Sequence, residues 1–573
     1  MILRGGRADY TTSKSAVSDV ATSHAAPIAA RQPQLRAYIA PRALAFVLLV
    51  IAALVPLILW FTDGHFIYAL DDPYIHLALA RHIAEGHYGI NAGEFSSPSS
   101  SILWPFLLAP FAHLSFSWYV PLAINVLCAA ATAWVVSDVC AAALAATSLA
   151  RERLFGCVLA GLALLAFNTF GLVFTGMEHS LQLLCACVVA RGLINEAQSG
   201  QLSASTWSAL LIGPLVRYEN LALSAAAGVV LLANKRYRAA TLLALASVLP
   251  VACFSLFLLS LDLPALPTSV MAKSLLTGDG GVVQGMIAQW IDGLCERNRG
   301  PLIALVGLAA GIVALVARER RTRLLAAISC MMVVLHMCFG SYGWFSRYEV
   351  YLWAFLVLVL GTLAMPQIAR PIERGQLSIA MLSGVCVISV GVICLPYIWA
   401  LAGIPGAAGN IYGQQYQMRR FAQAFDAPLA VNDLGLVSLD NPHYVLDLWG
   451  LASKEALFAR RMEAPEEKAS ADAESGDEPP PWMSKLVDAK GVEAIMIYDI
   501  WFEQGVPKSW KRVGTLNYEA DPVTAADIHV AFYATTEATR EKMSRVMHEL
   551  EPTLPQSASF VFADEQEAQL SAR

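Results

Sequence analysis

Apolar runs long enough to cross a lipid bilayer recur between residues 42 and 397, and they constrain the fold more than any other feature. A helix needs roughly 17–25 mostly apolar residues to span a hydrocarbon core about 30 Å thick. Such runs occur at about 42–61, 117–147, 153–175, 178–195, 239–260, 301–317, 324–340, 349–364 and 377–397. A shorter pair, 206–217 and 219–233, is interrupted by RYEN and is interpreted as two compressed spans or a re-entrant hairpin. The sequence therefore predicts a polytopic α-helical membrane protein with about eleven transmembrane helices.

The composition supports a membrane protein and gives no sign of a nucleic-acid partner. Of the 573 residues, 57% are hydrophobic and only 15% are charged, and the mean hydropathy is +0.53. Soluble globular domains of this length rarely carry so few charges. A net charge of −6 without a basic tract indicates no binding to nucleic acid. The lipid bilayer is the partner that the composition predicts.

Basic residues alternate between the predicted spans and orient the bundle, because positively charged loops stay on the cytoplasmic side. The basic positions that fall on one side are Arg4, Arg7, Lys14, Arg31, Arg36, Arg42, RER at 151–153, Arg191, NKRYR at 234–238, RERRTR at 318–323, Arg370 and Arg374. We expect a disordered cytoplasmic tail over 1–41, followed by a membrane domain over 42–399 that begins with an uncleaved anchor. The outer face then carries the loops 62–116 and 261–300.

The region after residue 400 has a different pattern. PLAVNDLGLVSL, YVLDLW, VEAIMIYDI and IHVAFYAT are typical of short strands, and MRRFAQAF and WMSKLVDAK are typical of helices. An odd number of spans places this region outside. We predict an exoplasmic α/β domain over 400–552, with an acidic, Pro-rich flexible loop at 463–481 and a disordered tail at 553–573.

The first outer loop contains the stretch YALDDPYIHLALARHIAEGHYGIN, in which two acids follow the first span. Asp72 precedes Pro73, which is the preferred order for a helix cap followed by proline at the first helical position. Ile75, Leu79 and Ile83 share one face of the helix that follows, so we expect it to lie at the membrane surface. One cap needs one side chain. Asp71 is then either a surface charge beside the cap or a functional carboxylate.

Other charged residues lie at span ends on the predicted outer face. They are Glu178 in FTGMEHS, Arg217 and Glu219 in RYEN, Lys273 in LPTSVMAKS and Arg347 in GWFSRYE. Each alone is typical of an interfacial anchor. Together they indicate a site that transfers a group from a lipid phosphate to a hydroxyl. In such a site a carboxylate takes the proton of the attacking hydroxyl, and cations absorb the charge of the departing phosphate.

The stretch DDPYIHLALARHIAEGHYGINAGEFSSPSSSILWPFLLAP resembles the first exoplasmic loop of polyprenyl-phosphate-dependent GT-C glycosyltransferases. It is most similar to the branch of mycobacterial terminal arabinofuranosyltransferases and related bacterial membrane mannosyltransferase-like enzymes. The matching positions are Asp71, Asp72, Tyr74, Ile75, Arg81, Asn91, Gly93 and Glu94. GMEHS at 176–180, RYEN, LPTSVMAKS, NDLG and VLDLWGL at 445–451 resemble later motifs of the family in order, with His179 and Thr268 departing from its usual residues.

This resemblance implies a GT-C fold in a bacterial inner membrane. It also implies inverting transfer from a polyprenyl-phosphate sugar to a cell-envelope glycan or glycolipid on the outer face. The implied catalytic residues are Asp71 as general base, with Asp72 at the helix start and Glu178 in support. Lys273, Arg347 and Arg217 are then expected at the lipid phosphate. His76 and Glu219 are candidates for the acceptor or for a divalent cation, whose requirement stays open.

Two other classes of function fit parts of the sequence. A transporter or lipid flippase would place paired charges near the bilayer midplane, whereas most charges here gather at span ends. A non-catalytic scaffold of envelope assembly would make the acids expendable. A ligase that uses a diphosphate-linked oligosaccharide is a nearer variant. The sequence pattern identifies neither the sugar nor the acceptor.

Overall fold

Long helices form the first part of the computed structural model, which describes residues 13–199, 201–273, 281–295, 299–469, 481–502 and 505–564. The helices of this first part are α1 (Ser13–Phe61), α2 (Asp72–Ala84), α3 (Leu103–Leu108), α4 (Val120–Ala145), α5 (Arg153–Ala166), α6 (Thr169–Phe174), α7 (His179–Ser199), α8 (Ala204–Val216), α9 (Leu221–Ala233), α10 (Tyr237–Ser260), α11 (Thr268–Lys273), α12 (Gly281–Cys295), α13 (Gly300–Val316), α14 (Arg320–Phe339), α15 (Val350–Glu373), α16 (Ile379–Ile393) and α17 (Leu395–Gly413).

Within the described residues, six helices are long and apolar enough to cross a membrane, and eight are if each of two bent helix pairs counts as one span. The predicted polytopic helical membrane protein is therefore confirmed. The predicted number of about eleven spans is not confirmed, because α5, α8 and α9 have only 14, 13 and 13 residues. At a rise of 1.5 Å per residue, each of these is roughly 20 Å long, which is shorter than the hydrocarbon core.

The predicted disordered tail over 1–41 is wrong for 13–41, which continue the first span as part of α1. Leu35 and Ile39 are 2% and 0% exposed, and they extend the buried stripe of Ala43 and Val47 by the i, i+4 spacing of a helix face. Alanine, the strongest helix former, is frequent in this segment. Residues 1–12 lie outside the described part.

Both ends of α7 are marked by charged residues that pack against neighbouring helices. At its C-terminal end, Asp138 of α4 lies 3.3 Å from Arg36 and 3.6 Å from Arg191. Glu196 accepts a hydrogen bond of 3.2 Å from Arg236. Arg36, Arg191 and Arg236, which the sequence pattern predicts on one side of the membrane, therefore lie at the same end of the bundle. The N-terminal end of α7 follows Glu178.

A mixed sheet with flanking helices forms the C-terminal part. Its elements are α18 (Gln415–Phe425), β1 (Leu429–Val431), α19 (Gly435–Ser438), β2 (Val445–Asp447), α20 (Lys454–Ala469), α21 (Pro481–Ala489), β3 (Ala494–Ile497), β4 (Lys511–Tyr518), β5 (His529–Ala534), α22 (Glu537–Leu550) and β6 (Ala558–Phe562). The strand order is β2-β1-β3-β5-β4-β6. β1 is parallel to β2 and β3, with Leu429 opposite Val445 and Ala494, and the other pairs are antiparallel. The predicted C-terminal α/β domain is confirmed.

Two details of this domain differ from the expectation. The predicted disordered tail over 553–573 is wrong for Ala558–Phe562, because β6 pairs with β4 and alternates buried with half-buried side chains. The predicted flexible loop at 463–481 is wrong at its two ends, since α20 runs to Ala469 and α21 begins at Pro481. Residues 470–480 and 565–573 lie outside the described part. Strand β4 lies in a segment for which the sequence pattern predicts no strand.

Candidate active site

The two adjacent acids at the start of α2 point to different partners. Asp72 is the first residue of the helix, Asp71 occupies the cap position, and neither side chain makes a capping hydrogen bond. The predicted cap by Asp72 is therefore wrong. Proline at the next position has no N–H that needs a cap, so both carboxyl groups remain available for contacts elsewhere.

Asp72 faces two cations from distant parts of the chain. Its Oδ2 accepts a hydrogen bond of 2.6 Å from Arg347 Nη2 and lies 3.6 Å from Lys273 Nζ. Burial raises the pKa of Asp72, but the charges of Lys273 and Arg347 outweigh burial and hold this pKa well below its ordinary value. Asp72 is thus a permanently ionised carboxylate, and three predicted site residues meet here.

Arg347 is 1% exposed and uses only part of its hydrogen-bonding capacity. Its Nη2 donates to Asp72 and, at 3.3 Å, to the Tyr348 hydroxyl, whereas its Nε and Nη1 have no hydrogen-bond partner among the described residues. Buried donors without partners are rare, because each costs about 1–3 kcal/mol. These free N–H groups of a buried cation are suited to an anionic ligand.

The segment before Arg347 has an unusual backbone that fixes the arginine in place. Trp344, Phe345 and Ser346 have φ values of 41°, 56° and 61°, in the left-handed region that non-glycine residues rarely adopt. Asn168 Nδ2 donates to Ser346 O at 3.0 Å, and Arg299 Nη2 donates to Ser346 Oγ at 2.7 Å. Strain of this kind persists only where surrounding contacts hold it, and it is frequent at functional sites.

Lys273 stands at the C-terminal end of α11 and is the more exposed cation, with 35% of its side chain accessible. Thr268, the first residue of this short helix, donates its backbone N–H to Ser97 Oγ at 3.1 Å. Its hydroxyl donates to Leu451 O at 2.6 Å. The loop that contains Ser97 and the C-terminal domain, through Leu451, therefore position the helix that carries Lys273.

Glu178, Arg217 and Glu219 form a second charged group. Arg217 donates two parallel hydrogen bonds to Glu219, of 2.5 and 3.1 Å, and Nη1 donates to Glu178 Oε1 at 3.1 Å and to Ser100 at 3.1 Å. Glu178 is 0% exposed, and its Oε2 lies 3.7 Å from His76 Nε2 without a hydrogen-bond partner among the described residues. The positive charge of Arg217 is thus largely balanced by Glu178 and Glu219.

His76 belongs to helix α2 and lies between two groups of charged residues. One group is Asp72 with its cations, and the other is Glu178 with Arg217 and Glu219. Burial lowers the pKa of His76, while the charges of Glu178 and Asp72 oppose this change without cancelling it. The imidazole is therefore neutral near pH 7 and can donate or accept a proton at either ring nitrogen. Among the described residues, no group of three or more His, Cys, Asp or Glu side chains is arranged to hold a metal ion.

Tyr348 and His179 join the site although the sequence pattern gave them no role. The guanidinium groups of Arg347 and Arg217 lie 5.1 and 5.6 Å from the centre of the Tyr348 ring, and the His179 ring lies 6.0 Å away. Burial raises the pKa of the Tyr348 phenol, but the nearby cations Arg347 and Lys273 lower it overall. The only sequence signal for Tyr348 is its position beside Arg347.

Asp71 points away from the cations and into the C-terminal domain. Its carboxyl oxygens accept hydrogen bonds from the backbone N–H groups of Gly435 and Leu436, at 2.5 and 2.8 Å. A Cβ on Gly435 would lie 2.2 Å from Asp71 O, so only glycine permits this approach. Burial and the neighbouring carboxyl of Asp433 raise the pKa of Asp71 well above its ordinary value.

Three further positions of the family-like stretch attach the first outer loop to the C-terminal domain. Asn91 exchanges two hydrogen bonds with the backbone of Val445, of 3.0 and 2.8 Å. Glu94 accepts from Lys490 at 2.6 Å, and Arg81 forms an ion pair with Asp440. These residues dock the two parts of the protein and do not reach the charged groups described above.

Comparisons with known proteins give a partial family match and three similar folds. A family model described as a domain of unknown function (DUF8728) matches residues 409–533. No curated protein matches the chain. ArnT from Cupriavidus metallidurans bound to undecaprenyl phosphate is 13% identical, with 86% of this chain and 99% of that chain covered and a TM-score of 0.43. Its apo form has a TM-score of 0.45 at 13% identity, covering 86% and 98%.

The third similar structure is the apo oligosaccharyltransferase of Archaeoglobus fulgidus. It is 11% identical, with 90% of this chain and 78% of that chain covered and a TM-score of 0.44. Because all three TM-scores are below 0.5, these similarities assign the chain to no family. A function must follow from the chain's own residues.

Proposed function

We propose that the protein is an inverting membrane glycosyltransferase of GT-C type. It would transfer a sugar from a polyprenyl-phosphate donor to a hydroxyl of a cell-envelope glycan or glycolipid on the outer face of a bacterial inner membrane. The observation that carries this proposal is the buried Arg347, which is held by Asp72 beside Lys273 and whose Nε and Nη1 have no hydrogen-bond partner among the described residues. When a sugar leaves a lipid phosphate, negative charge develops on the departing phosphate, and such a cation pair would stabilise it.

Arg347 and Lys273 are the proposed phosphate-binding residues. A guanidinium offers two parallel N–H groups to phosphate oxygens, and an ammonium adds a mobile point charge. In this proposal Asp72 keeps the guanidinium oriented. Arg217 was expected at the phosphate as well, but its contacts with Glu178 and Glu219 favour a role in positioning Glu178.

Asp71 is the proposed general base. In an inverting displacement the hydroxyl attacks the anomeric carbon from the side opposite the departing phosphate, so the base must stand away from the phosphate-binding cations. The Asp72 carboxylate contacts Arg347, whereas the Asp71 carboxyl group accepts a hydrogen bond from Leu436 of the C-terminal domain. The hydroxyl proton passes to Asp71, the oxygen bonds to the anomeric carbon, and the bond to phosphate breaks with its electron pair. Burial and Asp433 raise the pKa of Asp71, so its carboxylate form is a stronger base than an ordinary aspartate.

Glu178 and His76 are proposed to orient the acceptor hydroxyl. Glu178 Oε2 and His76 Nδ1 are buried and lack hydrogen-bond partners among the described residues. A carboxylate oxygen and a neutral imidazole can together accept from and donate to a sugar hydroxyl. Whether a divalent cation assists is answered by the same turnover assay with and without chelator.

The outward orientation is supported by the ends of α7. Glu178 precedes this helix and Glu196 lies near its end, roughly 27 Å further along at 1.5 Å per residue. Arg36, Arg191 and Arg236 surround the far end. Since basic residues favour the cytoplasmic side, the site would face the exoplasm.

The test is donor turnover by the full-length protein in lipid nanodiscs, with a panel of polyprenyl-phosphate sugars and crude envelope glycan as acceptor. We expect one donor to be consumed by the wild type. Asp71→Asn should lose about 10²–10⁴-fold of this turnover, while Asp63→Asn, which changes another acid of the same loop, should keep it. Full activity of Asp71→Asn would exclude Asp71 as base. If every donor survives but lipid-linked sugar crosses reconstituted vesicles, the protein is a flippase.

A further inference from the structure

The C-terminal domain places a third acid, Asp433, against the first two. We propose that Asp71 and Asp433 form one carboxyl pair that holds a single proton between them, so that the C-terminal domain completes the catalytic site. The existence of the pair is independent of the proposed function. Its part in catalysis rests on that function, with Asp433 as a positioning residue for the base.

Among the described residues, the loop after β1 supplies the hydrogen-bond donors to the Asp71 side chain. Strand β1 ends at Val431, and Asp433 follows on the same loop as Gly435 and Leu436. The backbone N–H groups of Gly435 and Leu436 each bind one oxygen of Asp71. One short segment thus fixes both oxygens of Asp71 and brings a second carboxyl beside them.

Asp433 and the two N–H groups that bind Asp71 lie within residues 433–436, so the two carboxyl groups are close neighbours. Two ionised carboxylates have only acceptors, so a hydrogen bond between them requires a proton on one of them. Asp433 Oδ2 also accepts a hydrogen bond of 2.7 Å from Gln415 Nε2, which leaves the proton of the pair to lie between Asp433 and Asp71.

The surroundings favour one retained proton. Burial and mutual repulsion raise the pKa of Asp71, and burial raises the pKa of Asp433. The other titratable groups that face the pair are Asp72, Tyr74, Tyr498 and Lys273. Of these, Asp72 opposes and Lys273 favours a second negative charge on the pair. Two like charges this close share a proton and titrate in two steps that belong to the pair.

The proposed chemistry balances with this pair as base. At neutral pH the pair carries one proton and one negative charge. During transfer the acceptor hydroxyl gives its proton to the ionised carboxyl, and the phosphate departs with the electron pair of the broken bond. The pair then holds two protons and returns one to solvent before the next turnover. The position of Asp433 therefore determines how readily Asp71 accepts a proton.

The pair can be tested without any enzymatic activity. Infrared difference spectra of the full-length protein in nanodiscs, titrated with acid and base, should show one protonated carboxyl at neutral pH. Asp433→Asn and Asp71→Asn should each lose this signal. Asp440→Asn, which removes the ion pairs of the same domain with Arg81 and Arg419, should keep it. Retention of the signal in Asp71→Asn or Asp433→Asn would overturn the pair.

The catalytic part has a separate readout. The pH profile of kcat/KM should have two carboxyl steps in the wild type and one in Asp433→Asn, at an unchanged KM for the donor. An unchanged profile would remove Asp433 from catalysis even if the infrared signal supports the pair. A wild type without any transfer would instead contradict the proposed function and leave the infrared result to decide the pair.

Discussion

Helix α7 has a buried glutamate at each end, and the two differ in what surrounds them. Glu178 and Glu196 are 0% and 1% exposed. At the C-terminal end of α7, which is the inner end in the proposed orientation, both oxygens of Glu196 accept hydrogen bonds from Arg236, and Oε1 also accepts from Asn234 at 3.3 Å. At the N-terminal end, which is the outer end in that orientation, Glu178 shares Arg217 with another acid and leaves Oε2 without a partner among the described residues. Equal burial thus accompanies unequal hydrogen bonding.

We interpret this difference as the difference between a structural ion pair and the proposed functional site. A buried ion pair that serves packing is expected to be fully hydrogen-bonded, because each unmet group is costly. The outer end instead contains several buried polar atoms without partners among the described residues. They are Glu178 Oε2, His76 Nδ1, both ring nitrogens of His179, and Nε and Nη1 of Arg347. Such atoms are what a polar ligand would bind.

The largest contrast is expected between Arg347 and Arg236. Arg347→Lys keeps the charge but loses the planar pair of N–H groups, so turnover should fall by about 10²–10³-fold, as for the loss of a transition-state donor. Arg236→Lys at the inner end should leave turnover within about twofold, because its 36% exposed side chain pairs with Glu196 at the opposite end of α7 from the proposed site. Steady-state kinetics in nanodiscs measure both. Equal losses in the two variants would show that the ends of the bundle do not differ in function.

A smaller effect is expected from the exposed cation. Lys273→Ala should raise the KM for the lipid donor by roughly 10–100-fold, the equivalent of a charge-assisted hydrogen bond worth about 1.5–3 kcal/mol. Lys454→Ala removes a lysine that pairs with Asp262 on the same outer face, and it should leave this KM unchanged. If Lys273→Ala changes only the KM for the acceptor, the lysine does not bind the phosphate.

The sequence pattern predicted most residues of the candidate site but not which of them contact each other. Asp72, Lys273 and Arg347 were expected on one face and do meet. Glu178 and Arg217 also meet, although Arg217 was expected at the phosphate. What chain order could not show is which of two neighbouring acids turns toward the cations, because that depends on where α19 docks against α2. Asp433 is 362 positions from Asp71. The motif NDLG contains Asp433, but the sequence does not indicate which distant residue this motif contacts.

Strand β6 and the first part of α1 were not predicted from the sequence, because they too depend on contacts between distant segments. β6 becomes a strand because β4 offers an edge for pairing, and nothing local in ASFVF reveals that edge. The helical start of α1 depends on Leu35 and Ile39 packing against neighbouring helices. Long apolar runs predicted the six long apolar helices among the described residues because the bilayer requires a continuous apolar segment for each span. Contacts between distant segments leave no comparable periodic signal.

The two glutamates of α7 allow the comparison to be tested on one helix. Glu178→Gln should reduce turnover by about tenfold, the lower end of what supporting residues of an active site contribute. Glu196→Gln should leave turnover within about twofold and lower the free energy of unfolding by about 1–3 kcal/mol, since the amide keeps one acceptor for Arg236. Thermal denaturation in nanodiscs and steady-state kinetics separate these outcomes. A kinetic loss confined to Glu196→Gln would reverse the assignment of the two ends.

The smallest effect is expected at Asp138, which belongs to the inner end. Its side chain is 11% exposed and pairs with Arg36 and Arg191, whose side chains are 39% and 21% exposed. Partly exposed pairs of this kind contribute about 0–1 kcal/mol, because solvent screens them. Asp138→Asn should therefore lower stability by less than about 1 kcal/mol and leave both KM values unchanged. A marked loss of turnover would mean that the inner end of α7 is coupled to the proposed site through α4 or α7, and the contrast between the two ends would then lose its functional meaning.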